Sequence, residues 1–205
     1  MKRSSFPDAV RTIVATGRWL DGKGWAPATS GNYSCRLDNG SFAVTVSGRH
    51  KGRLTEDDVM RVDSAGTSLD GKRPSAETAL HLAIYTMFPE AGAVLHSHSP
   101  TAVALTRAYA DLAEWHFTGH EMLKALPGVT THDMQVALPI VDNSQDMGAI
   151  WDAVSPVLGA VPAYLIRSHG LYGWGTDMAE AERVIEAIEW LIMAELAEAQ
   201  FRRRI

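Results

Sequence analysis

At 205 residues the chain suits one compact domain, and 46% hydrophobic against 21% charged residues is enough to bury a core without disulfide or metal staples. A formal charge of −5 leaves no basic stripe to neutralise phosphate backbones, which argues against a nucleic-acid surface. The lone cysteine, Cys35, excludes an intrachain disulfide and a thiolate zinc site, in keeping with a reducing cytoplasm.

Nothing in the sequence points to a membrane. The longest apolar stretch, 148–166, is interrupted by Asp152, Pro156 and Pro162, and no apolar run follows Lys2 and Arg3 as a signal peptide would require. Arg202, Arg203 and Arg204 form the one basic cluster, read as a solvated helix end.

In chain order, 6–20 has the periodicity of an amphipathic helix, with Val10, Ile13, Val14 and Gly17 on one stripe. Segments 33–37 and 42–46 read as a hairpin about Asp38-Asn39-Gly40. Residues 55–58 look like a capped turn and 60–62 like a short strand. Ser75 is placed to cap a helix running to about Phe88, with Leu80 and Ile84 on its buried side. Strand 91–98, helix 100–110, short helix 119–126, strand 135–139 and helix 144–157 follow. Strands 163–167 and 171–174 flank His169-Gly170, and Asp177 caps a long final helix. Hairpin and crossover signals alternate, so the expected fold is a three-layer α/β/α domain on a mixed, mainly antiparallel sheet.

Residues two apart on a strand project from one face, so His96 and His98 would present two imidazoles side by side at a strand end. That supplies two corners of a tetrahedral or five-coordinate metal site. His169, in a polar turn between apolar strands, is the best candidate for a third, and three neutral imidazoles leave room for substrate. The competing interpretation is two polar residues at a strand-to-helix turn, with Ser99 and Pro100 opening the next helix. His116 and His120 form a second pair, but Thr118 and Gly119 start a helix between them and separate their faces. His50, His81 and His132 read as surface, core-edge or substrate-rim residues. Small residues whose amides a phosphate could approach are Gly31-Asn32, Ser47-Gly48 and Ser75-Ala76. Lys51 adds a charge there, or belongs to a solvated basic turn over 49–53.

Five motifs occur in register between about residues 8 and 198: Ser30-Gly31-Asn32-Tyr33-Ser34, Ser47-Gly48, Pro74-Ser75-Ala76-Glu77, His96-Ser97-His98 and His169-Gly170-Leu171-Tyr172-Gly173-Trp174-Gly175. On them the chain resembles the class II aldolase/adducin family. The resemblance implies one zinc per subunit at His96, His98 and His169, a sugar-phosphate substrate, the same phosphate-binding positions, and a homotetramer with active sites near subunit interfaces. Segments 117–124 and 136–143 are similar to a dehydratase branch, a lyase of methionine salvage acting on a methylthio ketose phosphate.

In that branch Glu121 would be the acid/base; its alternative is a helix-start glutamate stabilised by the helix dipole. Glu77 instead resembles the acid/base of the L-fuculose 1-phosphate aldolase and ribulose-phosphate 4-epimerase branches. It is assigned a secondary or metal-proximal role, with a first-turn helix carboxylate as its alternative. A methylthio tail would need an apolar wall, for which Trp115, Phe117 or Met122 are candidates, core packing being the other reading of each. A non-catalytic, adducin-like interaction module is the remaining reading, and the presence of all three ligands and both carboxylates speaks against it.

Overall fold

The structure, a computed structural model, describes residues 3–202; Met1, Lys2, Arg203, Arg204 and Ile205 lie outside them. Helix α1 (Phe6–Gly22) starts where the Ser5 hydroxyl accepts the Asp8 amide at 3.3 Å and Pro7 fits the first turn. It buries Val10, Ile13, Val14 and Leu20. At Gly17 a Cβ would lie 2.4 Å from the Lys51 carbonyl oxygen, so the glycine lets α1 press against the 3-10 turn Lys51–Arg53.

The remaining elements are β1 (Asn32–Arg36), β2 (Phe42–Thr45), β3 (Val59–Val62), α2 (Thr78–Met87), β4 (Ala93–Ser97), α3 (Pro100–Ala108), β5 (Glu114–Phe117), β6 (Val136–Val141), α4 (Met147–Val154), β7 (Ala163–Ile166), β8 (Gly170–Gly175) and α5 (Met178–Arg202). The strands form one sheet in the order β3-β2-β1-β4-β8-β7-β6-β5. Every neighbouring pair is antiparallel except β6–β7, which α4 joins as a crossover. No helix among the described residues is long and apolar enough to cross a membrane.

Alternation along the strands sorts the core into two layers. Tyr33, Cys35, Leu95, Leu165 and Leu171 pack with α1, α3 and α5. Val94, Tyr164, Ile166, Tyr172 and Trp174 pack with α2 and α4. The α/β/α expectation and the mainly antiparallel sheet therefore match the structure.

Several local expectations differ from it. Ser75 does not cap α2: the helix begins at Thr78, and the Ser75 hydroxyl accepts the Glu77 amide at 3.3 Å in a preceding turn. That delay leaves the Glu77 side chain outside the helix-capping role and free to face β4. Strand β5 escapes notice in the sequence because it is a four-residue, largely exposed edge strand that pairs with β6 at the end of the sheet. The short helix at 119–126 is a 3-10 turn over Glu121–Ala125. Helix α4 starts only at Met147, where Asp146 caps the Gly148 and Ala149 amides, and it gives way to a 3-10 turn, Ser155–Val157, at Pro156.

The β7–β8 turn is built with strain. Ser168 adopts φ +57°, a left-handed conformation that costs a non-glycine residue about 1–2 kcal/mol. Its amide donates to Thr106 Oγ1 at 3.0 Å. Beside it Arg167 donates to the Asp142 carboxylate (2.7 Å) and to the Leu112 carbonyl (2.9 Å). These contacts hold the turn that carries His169.

Candidate metal centre

Four side chains from three parts of the chain converge at one end of the central strands. His96 lies in β4 opposite Asn32 of β1 and Tyr172 of β8. His98 follows the end of β4, His169 sits in the β7–β8 turn, and Glu77 precedes α2. Their potential ligand atoms all lie within 4.8 Å of one another. Glu77 Oε1 is 3.1 Å from His169 Nε2 and 3.6 Å from His96 Nε2, and the two Nε2 atoms are 3.4 Å apart.

The surroundings orient these groups. His96 Nδ1–H donates to the Leu171 carbonyl at 3.1 Å, which turns Nε2 inward, and the ring stacks on Tyr172 at 4.1 Å. Tyr172 in turn stacks on Tyr164 at 4.9 Å. His169 Nδ1–H donates to Asn143 Oδ1 at 3.2 Å. Glu77 Oε2 accepts from Asn32 Nδ2 at 2.5 Å. Hydrogen-bonding the outer nitrogen of an imidazole fixes its tautomer and leaves the inner lone pair for a cation.

The donor set fits a metal ion. His98 Nε2 is buried and has no hydrogen-bond partner among the described residues, a costly state unless something else is ligated there. Burial holds the His96 imidazolium well below its usual range, and repulsion from His98 and His169 adds to this against the pull of Glu77. Burial and His169 together bring His98 to about 4. For Glu77 burial acts upward, but His96, His169 and Asn32 more than reverse it and keep the carboxyl well below the carboxylate range. Neutral His96 and His98 beside an anionic carboxylate are the forms in which these groups ligate.

Glu77, His98 and His169 line a cleft of about 470 Å³. Gly31, Asn32, Ser47, Gly48, Lys51, Ser75 and Ala76 line the same cleft, so it gathers every residue expected from the sequence to meet a phosphate. Gly31 is required there, since at φ +77° a Cβ would sit 2.7 Å from the His96 carbonyl oxygen. Lys51 is buried, donates to the Thr29 and Arg49 carbonyls at 2.9 and 2.7 Å, and is lowered by burial to about 8.

Other expected residues lie elsewhere in the chain. Glu121 is exposed, pairs with Lys124, and does not line this cleft. Phe117 is fully buried in the core layer of α1, α3 and α5, against which Trp115 and Met122 also pack. His116 pairs with Glu114 and His120 with Glu195, while His81 is buried against the Ser34 hydroxyl. Arg73, Ser144, Gln145 and Met147 line the cleft without having been singled out, and neither had Asn143 as the partner of His169. The polar run Asp142-Asn143-Ser144 after an apolar strand was the available signal for the last of these.

The fold and this cluster define the class of protein. Residues 11–196 match the model of the Class II Aldolase and Adducin N-terminal domain, and the chain belongs to that family. Solved structures with the same fold include the L-fuculose-1-phosphate aldolase of Thermus thermophilus, at a TM-score of 0.74 and 25% identity, covering 94% of each chain. A sugar-phosphate aldolase from Thermotoga maritima aligns with a TM-score of 0.73 at 21% identity, covering 95% of this chain and 96% of that one.

Similarity in sequence is higher to one group of enzymes. The methylthioribulose-1-phosphate dehydratase of Methylococcus capsulatus is 46% identical over 194 residues, 93% of this chain and 94% of that protein. The enzyme of the same name from Pseudomonas paraeruginosa is 51% identical over 188 residues, 90% and 91% of the two chains.

Proposed function

We propose that the protein is a zinc-dependent lyase of methionine salvage, converting 5-methylthioribulose 1-phosphate and releasing water to give 2,3-diketo-5-methylthiopentyl 1-phosphate. One observation carries the reading: a three-imidazole, one-carboxylate cluster opens on a cleft lined by small and polar residues in a chain about half identical to enzymes named for this reaction.

The reaction takes the proton from C3, next to the C2 carbonyl, and breaks the C4–O bond; the enol that remains tautomerises to the diketone. His96, His98 and His169 would hold the zinc, with Glu77 completing the donors from the metal-proximal side. A bound zinc ion would supply Lewis acidity at the C2 carbonyl and C3 hydroxyl oxygens. Glu121 is assigned the proton transfer, accepting the C3 proton and returning it to the departing C4 oxygen. The phosphate group is assigned to the small residues Gly31, Asn32, Ser47, Gly48, Ser75 and Ala76, with Lys51 adding charge.

Glu121 lies outside the cleft of its own chain, so the reading includes a homotetramer in which it reaches the cleft of a neighbouring copy. Its turn supports this: His120 meets Trp190 edge-on, and Trp190 and Met193 leave an exposed apolar strip on α5 beside it. The reading further takes all 205 residues as one domain working in the cytoplasm, where the lone buried Cys35 stays a thiol.

Glu77 within the donor cluster is the observation that favours a second reading, a sugar-phosphate aldolase or 4-epimerase on the same scaffold. Incubating zinc-loaded protein with 5-methylthioribulose 1-phosphate and weighing the product by mass spectrometry separates the two. Loss of one water is expected. Unchanged substrate, together with cleavage of L-fuculose 1-phosphate, would overturn the dehydratase reading.

A further inference from the structure

A second carboxyl group lies close to the metal-ligand strand and takes no part in the chemistry above. Glu189, on α5, is fully buried, as are Ile185, Ile188 and Ile192 of the same helix. Its Oε2 accepts from the Ser99 hydroxyl at 2.6 Å and from Thr101 Oγ1 at 3.1 Å. Burial pushes this carboxyl up to about 7, although the hydroxyls of Ser99, Thr101 and Ser97 draw it down.

Fold stability does not call for such a group. Taking a carboxyl out of water is costly, and a well-packed apolar side chain of the same volume is commonly neutral or stabilising in its place. Its partners point to another role. Ser97 and Ser99 alternate with His96 and His98 along the same short stretch. Ser99 also caps α3, its hydroxyl accepting the Ala102 amide at 3.0 Å while donating to Glu189.

The three imidazoles are not equally supported. His96 is oriented by the Leu171 carbonyl and His169 by Asn143. His98 lies beyond the end of the β4 ladder; its amide donates to the Trp25 carbonyl at 2.7 Å, and its buried Nε2 has no hydrogen-bond partner among the described residues. The next residue, Ser99, is the one tied to Glu189. Metal sites tolerate displacements of only about 0.2 Å in ligand distance.

We propose that Glu189 is a positioning residue for the metal centre, clamping Ser99 and Thr101 so that the backbone of His98 is fixed where its imidazole can ligate together with His96 and His169. The inference rests on the metal-binding reading above. It makes α5 a buttress of the site as well as a core helix.

The test is zinc affinity of the purified full chain, by competition with a chromophoric chelator, alongside thermal unfolding of the chelator-treated protein. Glu189→Leu should bind zinc at least about tenfold more weakly, the scale of losing an outer-shell support, with no fall in the metal-free melting temperature. Glu189→Gln, whose amide oxygen still accepts from Ser99, should stay within about threefold of the parent on the same scale. If Glu189→Leu does not fold, Ser99→Ala removes the donor instead and should show the same loss. Parental affinity in the variant that folds, or an equal loss in Glu189→Gln, would overturn the proposal while leaving the metal site standing. A parent chain that binds no zinc would overturn both.

Discussion

Gly170→Ala is the sharpest perturbation of the metal centre that leaves every ligand in place. Gly170 opens β8 immediately after His169, and a Cβ built there falls 2.0 Å from the Ser97 carbonyl oxygen and 3.1 Å from His96 Cε1. Restoring an ordinary C···O separation of about 3.3 Å requires β8 and β4 to part by about 1 Å. The displacement falls between His169, in the turn that leads into β8, and His96 on β4. That is several times the tolerance of about 0.2 Å in a coordination sphere. Overpacking of this kind destabilises by about 1–3 kcal/mol. The expected outcome is therefore a modest drop in unfolding free energy with zinc affinity reduced about 10–100-fold, the scale seen when support for a ligand is lost. Gly173→Ala is the control, because its Cβ would meet the Ile185 and Val184 side chains on α5, which can change rotamer. It should lose stability and keep zinc. Chelator competition and urea unfolding on the two variants decide the matter; parental zinc affinity in Gly170→Ala would refute the claim that β4–β8 contact sets ligand spacing.

Glu121→Gln should retain its zinc and lose at least about a hundredfold in turnover, the scale of acid/base catalysis. Mixing it with His98→Ala chains should restore activity, because one subunit then supplies the metal and its neighbour the carboxyl; mixtures no better than their parts would confine Glu121 to its own chain. Lys51, lowered by burial to about 8, is charged below that pH and neutral above it. Above about pH 8 the KM for the phosphorylated substrate should rise in the parent but not in Lys51→Met, and a flat parental profile would remove Lys51 from phosphate binding. Burial brings His81 from an ordinary 6.5 to about 4, so between these values the unfolded chain binds a proton that the native chain does not. Its contribution is complete above pH 6.5 and is lost as the pH falls toward 4, at about 1.4 kcal/mol per pH unit. Urea unfolding of chelator-treated parent and His81→Gln across this window should show the difference closing; parallel curves would refute it.

Much of the architecture was legible in the chain because it rests on local periodicity. The stripe of Val10, Ile13 and Val14, the turn signal Asp38-Asn39-Gly40 and the short apolar runs of β7 and β8 each specify an element without knowledge of its partners. The pairing of His96 with His98 was legible for the same reason, as two residues at strand spacing. Other features depend on contacts between distant segments. His169 lies 73 residues from His96 and meets it only because β8 pairs with β4. Glu77 joins them because α2 starts two residues later than its Ser75 signal suggests. Strand β5, short and exposed, exists through its ladder with β6 rather than through any pattern of its own. Glu189 reads in sequence as one more acidic residue on a charged helix, and only the packing of α5 against the end of β4 buries it against Ser99. A periodic pattern records which face of an element is apolar; which polar groups are enclosed between two elements is decided when they pack, since burial is a property of the assembled layers and not of either strand or helix alone.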